Sequence, residues 1–153
     1  MWRARDKGFT LVELTIVLAI GAILIAIAVP FLTSYFDRAR NVQAILDLGD
    51  MQKTIRQYEF ANGALPAGLS DVNLDKKLDP WGRPYGYFNL RTSHGSGQAR
   101  VDHKLAPLNS DYELYSAGPD GLSQAQLSAA ESRDDIVRAR NGGFLGLASD
   151  FDP

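Results

Sequence analysis

From Leu14 to Phe36 the chain carries no Asp, Glu, Lys or Arg, and only Thr15, Thr33 and Ser34 are polar. A helix that crosses a bilayer needs about 20 apolar residues at ~1.5 Å each, and this run is long enough. Arg3, Arg5 and Lys7 precede it. By the positive-inside rule they put the N-terminus on the cytoplasmic side and the remainder outside. Arg38 and Arg40 follow the run and weaken that asymmetry. A secretory signal cut after Ala26-Ile27-Ala28 fits the same composition. Two features speak against it: the carboxylate of Glu13 at the edge of the apolar run, and a helical pattern that does not break after Ala28.

That pattern changes character rather than stopping. Val42, Ile45, Leu48, Met51, Ile55 and Tyr58 recur every three or four residues, with Arg40, Asp47, Asp50, Lys53 and Arg56 largely off that stripe. This is an amphipathic helix with one face for a core. Asn62-Gly63, with Pro66 beyond, is its stop signal. One helix over about residues 9–61 is expected, apolar all round at first and amphipathic later. Pro30 removes one backbone donor inside it and is expected to kink or loosen it locally. Beyond it, Asp79-Pro80-Trp81-Gly82-Arg83-Pro84-Tyr85 reads as a turn with two aromatic anchors. Tyr85 to Leu90, Ala99 to Leu105 (weakly) and Tyr112 to Ser116 read as short strands. The expected class is α+β, a long N-terminal helix packed through its amphipathic half on a small antiparallel sheet.

Composition narrows the chemistry. A net charge of −2 speaks against a general nucleic-acid binder, and the absence of cysteine excludes disulfides, catalytic thiols and Cys-ligated metals. His94 and His103 are the only histidines, and no HExxH, GxSxG or P-loop pattern occurs. Gly95-Ser96-Gly97 is too little for a phosphate cradle and reads as a flexible loop. No enzyme is expected.

Gly8-Phe9-Thr10-Leu11-Val12-Glu13-Leu14 resembles the prepilin signature of type IV pilins and type II secretion pseudopilins. The resemblance implies cleavage between Gly8 and Phe9 by a prepilin peptidase, a membrane aspartic peptidase, and N-methylation of Phe9. Loss of the leader removes three positive side chains and one negative, taking the charge from −2 to −4. It also implies an assembly role for Glu13, which would meet the α-amine of Phe9 on a neighbouring subunit, and for Pro30, where the helix would loosen. A carboxylate in hydrocarbon is costly without a partner, so such a pair would set the register of a filament. Read without the flanking Gly-Phe motif, Glu13 is an interfacial carboxylate that snorkels to the headgroups.

"DPWGRPYGY" and "YELYSAGPDG" resemble the major pseudopilin family of type II secretion systems. The implied architecture is pilin-like. It comprises a leader at 1–8, a transmembrane and assembly helix at 9–36 and a periplasmic domain at 37–153. The domain divides into an amphipathic helix 37–61, a loop 62–84, and a sheet with C-terminal loop 85–153. The implied function is that of a structural subunit of a periplasmic pseudopilus that drives protein secretion. The protein would be single-pass in the inner membrane, forming a homo-oligomeric helical filament with other pseudopilins on an inner-membrane assembly platform. Two alternatives stand beside this reading. One is a major or minor pilin of a type IV pilus, serving adhesion, motility or DNA uptake. The other is a membrane-tethered periplasmic binding module that never polymerises.

Ser116-Ala117-Gly118-Pro119-Asp120-Gly121 is followed at a distance by Asp134-Asp135-Ile136. Calcium takes six to eight oxygens from carboxylates and backbone carbonyls. In the major pseudopilins the matching loop binds calcium. The resemblance therefore implies a site at Asp120 and Asp135, assisted by Asp134 or a carbonyl of Ala117 or Ser123. The chain departs from the family here, because "LSQAQLSAAESR" stands where a short glycine-rich loop is usual, and no EF-hand spacing occurs. On the residues alone, Asp120 makes a turn and Asp134-Asp135 flank the next segment.

Overall fold

The computed structural model describes residues 8–92, 99–103 and 105–151. Helix α1 runs from Leu11 to Asn62 and stays helical through Pro30. The Thr33 and Ser34 hydroxyls donate to the Pro30 carbonyl at 2.9 and 3.0 Å. Asn62-Gly63 ends the helix as its composition implies: Gly63 takes a φ of 71°, and its N–H returns to the Glu59 carbonyl at 2.8 Å.

The chain divides into two compact units between Arg38 and Ala39. In the first, α1 contains a stretch long and apolar enough to cross a bilayer. Its side chains from Leu14 to Phe36 are exposed, Gly21 alone being half-buried. A helix that is apolar on every face needs lipid or protein around it.

In the second unit the rest of α1 lies against a four-stranded antiparallel sheet. Its strands are β1 (Gly86–Asn89), β2 (Tyr112–Ser116), β3 (Ile136–Ala139) and β4 (Phe144–Leu147), in spatial order β1-β2-β3-β4. The register sets Gly86 opposite Tyr115, Ser116 opposite Ile136 and Ala139 opposite Phe144. Alternation along the strands makes two cores. Tyr112, Leu114 and Ile136 meet Ala44, Leu48, Met51 and Ile55 of α1, together with Leu65 and Tyr85. On the other face Val137 and Ala139 meet Leu108, Leu127 and Ala148. Trp81 packs, partly buried, at the edge of the first core, and Tyr85 lies inside it.

Three details depart from expectation. Val42 is exposed, and Ala44 takes the buried position at that end of the stripe. No strand forms among the described residues of Ala99 to Leu105: Val101 makes a single parallel bridge to Gln126. In its place the sheet has β3 and β4, whose sequences IVRA and FLGL carry no clean alternation. Arg138 breaks the apolar pattern of β3 yet is buried. Its guanidinium stacks 3.9 Å over the Tyr112 ring, and its Nε donates to Gln52 Oε1 of α1 at 2.7 Å. Within 62–84, Leu69–Val72 forms a 3-10 turn and Leu78 bridges Pro84.

Candidate functional site

Two places carry the residues singled out by sequence. The first is the start of α1. Gly8, Phe9 and Thr10 precede the helix and are exposed, so the Gly8–Phe9 bond lies in non-helical chain. Residues 1–7 of the expected leader lie outside the described residues. Thr10 and Glu13 form a reciprocal capping box. Glu13 Oε2 accepts from the Thr10 N–H at 2.9 Å and from its hydroxyl at 3.0 Å, while the Glu13 N–H donates to Thr10 Oγ1 at 3.2 Å. Thr10 was missed as a functional partner, although T-x-x-E before an apolar run is a sequence-level start signal. The box holds a carboxylate in the first helical turn, where the helix dipole favours negative charge. Pro30 lies within the apolar stretch, and its carbonyl takes the two hydroxyl bonds described above.

The second place is the C-terminal loop, where the two family-like segments meet. Asp79 organises its own turn: Oδ1 accepts from the Trp81 and Arg83 N–H groups at 3.0 and 2.9 Å. Its Oδ2 accepts from the Ser116 hydroxyl at 2.6 Å. Arg83 then crosses to the other turn and donates to the carbonyls of Gly118 and Pro119. Gly118 has a φ of 62°, and a side chain there would overlap the Asp134 carbonyl.

The acidic residues separate. Asp120 is exposed; its Oδ1 accepts from the Leu122 N–H at 2.8 Å, and its own N–H donates to Asp134 Oδ2 at 3.3 Å. The Ala117 carbonyl closes the turn by accepting from Gly121 N–H at 3.0 Å. Asp135 is fully buried and serves a different set. Its Oδ2 accepts from the Ser123 hydroxyl at 2.7 Å and pairs with Arg100 Nη2 at 2.7 Å, and Arg100 also reaches Ser123 Oγ. Burial pushes the Asp135 carboxyl above its ordinary value, against the pull of Arg100 and Ser123. Asp135 Oδ1 and Arg100 Nη1 are buried without hydrogen-bond partners among the described residues. One free buried oxygen is a donor a metal would accept, but the rest of a calcium shell does not gather around it. Asp120 and Asp134 serve the neighbouring turn, the Gly118 and Pro119 carbonyls take Arg83, and a guanidinium already occupies the buried carboxylate. No group of three or more Asp, Glu, His or Cys able to hold a metal forms among the described residues. As arranged, these residues do not fit six to eight calcium oxygens.

Arg83, Arg100 and Asp79 were not singled out as site residues. Each has a partner 35 or more residues away along the chain, which no local pattern reveals. His103 is exposed. His94 and Gly95-Ser96-Gly97 lie outside the described residues.

A family profile described as the prokaryotic N-terminal methylation motif matches residues 3–29. Type II secretion system core protein G of Pseudomonas aeruginosa is 32% identical over 143 residues, covering 79% of this chain and 89% of that protein. The protein of the same name from Klebsiella pneumoniae is 27% identical over 140 residues, covering 86% and 93%. A fimbrial protein of Neisseria meningitidis is 35% identical over 78 residues, covering 51% of this chain and 46% of that protein. No solved structure matches significantly. With a relative that similar across most of both chains, this chain belongs to the family of type II secretion system core protein G.

Proposed function

We propose that the chain is a structural subunit of the periplasmic pseudopilus that drives type II protein secretion, assembled after prepilin peptidase processing. The observation that carries this reading is the reach of the likeness. Core protein G of Pseudomonas aeruginosa aligns over 79% of the chain, whereas the fimbrial protein aligns over 51%. The exposed apolar stretch of α1 supports an inner-membrane anchor before assembly and a helix-lined filament interior after it. In this reading the N-terminus faces the cytoplasm, the domain from Ala39 onward faces the periplasm, and the Gly8–Phe9 bond is cut. Phe9 is then methylated, and Glu13 exchanges its Thr10 contacts for the Phe9 α-amine of a neighbour. Pro30 provides the place where the helix loosens as subunits pack. The work of secretion comes from elsewhere in the machine, since the sequence has no nucleotide-binding motif. The subunit's role is structural rather than catalytic.

Deleting the chain from its host tests the reading. The expected result is that secreted enzymes accumulate in the periplasm, and that the full-length chain restores their export. Normal export with loss of surface pili would overturn it in favour of a type IV pilin. A mature protein that retains residues 1–8 would favour the tethered module that does not polymerise.

A further inference from the structure

We infer that the Arg100 guanidinium is the built-in cation of the C-terminal loop, which therefore holds its fold without a divalent metal. The loop from Ala117 to Asp135 must close a long connection between β2 and β3, and its buried anchor is the Asp135 carboxylate. A carboxylate that dry requires a positive charge beside it. Arg100 supplies one from outside the loop, at 2.7 Å.

Its placement is fixed from several sides. The Arg100 N–H donates to Glu113 Oε1 at 3.1 Å, and the guanidinium lies 3.9 Å above the Tyr115 ring, both on β2. The next residue, Val101, is tied to the loop backbone itself: its N–H donates to the Ala125 carbonyl at 2.9 Å, and its carbonyl accepts from Leu127 at 3.0 Å. Arg83 does the corresponding work at the start of the loop by donating to the Gly118 and Pro119 carbonyls. Carboxylate and carbonyl oxygens that a calcium ion could draw together are thus drawn together by two guanidiniums. The guanidinium is covalently part of the chain, so no chelator removes it. A divalent ion approaching Asp135 would meet a fixed positive charge.

The test is thermal unfolding of the full-length chain in detergent micelles, followed by near-UV dichroism, in millimolar calcium, in magnesium and in chelator. Backbone hydrogen exchange of residues 117–135 is read in parallel. The three midpoints and the loop protection are expected to coincide. Arg100→Met is expected to raise exchange in the loop at least tenfold, with Arg100→Lys intermediate because it keeps the charge and loses the fork. A calcium-specific rise of several degrees in the unmodified chain, abolished by Asp135→Asn, would overturn the inference. That arm needs no Arg100 variant to fold. An Arg100→Met chain whose loop stays protected in chelator would overturn it as well.

Discussion

Arg138 holds Asp111 with both arms of its guanidinium, Nη2 lying 2.6 Å from Oδ2 and Nη1 2.8 Å from Oδ1. The arginine is buried and ties three elements at once: β3, which carries it, α1 through Gln52, and the start of β2 through the Tyr112 carbonyl. Asp111→Ala strands that charge without its counter-ion and is expected to lower unfolding stability by about 3–5 kcal/mol. Combining it with Arg138→Met should cost clearly less than the two single changes added together. Denaturant unfolding of the four chains gives the coupling, expected at roughly 1–3 kcal/mol. Simple additivity would show that the pair does not act as a unit.

Acid should act on the same domain in two opposite ways. Burial works to raise the pKa of Asp111 and Asp47. The bonds from Arg138 to Asp111, and from Lys77 and Tyr85 to Asp47, outweigh it and leave both below their ordinary 3.8. Their contribution is complete above 3.8 and is lost as pH falls through the lower folded values. Glu113 runs the other way. Burial holds it above its ordinary 4.5 despite the bonds from Asn109 and Arg100, so the fold gains from it as pH falls from its raised value toward 4.5. Urea midpoints measured against pH should therefore pass through a maximum on the mildly acidic side before collapsing. A decline that sets in directly below neutrality would contradict the assignment of Glu113.

Gly118 and Gly82 both have positive φ, at 62° and 85°, but only Gly118 is crowded. Gly82→Ala is expected to cost about 1 kcal/mol for its backbone alone. Gly118→Ala must also push away the Asp134 carbonyl and should cost more, about 2–3 kcal/mol. Equal destabilisation of the two variants would mean that the contact between the 118 and 134 peptides is not a constraint.

Glu13 has two expected uses, and they separate experimentally. Glu13→Ala should still be cleaved at Gly8–Phe9, as followed by immunoblot, yet yield few cross-linked filaments. Thr10→Val removes the cap, worth about 1 kcal/mol, and should leave assembly largely intact. Normal filament yield from Glu13→Ala would show that the carboxylate serves only its own helix.

The long helix was legible because its two halves obey simple rules: an unbroken apolar run, then a stripe of period 3.6, then Asn62-Gly63. β1 and β2 were legible from aromatic alternation. β3 was not, because an arginine inside a strand normally marks an exposed position, and β4 was not, because FLGL carries no clean alternation. Arg138 is buried against distant partners, among them Asp111, 27 residues earlier, and Gln52 on α1. The acidic loop shows the same limit. Its carboxylates can be counted in the sequence, but Asp135 faces Arg100, 35 residues away, and the Asp120 carboxylate accepts from Leu122 of its own turn. Charges advertise themselves in a sequence, whereas the partners that decide their role do not.

The sheet order β1-β2-β3-β4 bears on how the domain is made. Among the described residues, each strand of the sheet bonds only to its neighbours in chain order. In the proposed orientation, the segment beside the apolar stretch crosses the membrane first, so α1 is present as a template and each later strand finds its neighbour already delivered. Such a domain grows by addition at one edge, and it never has to keep a gap open for a strand that has yet to emerge.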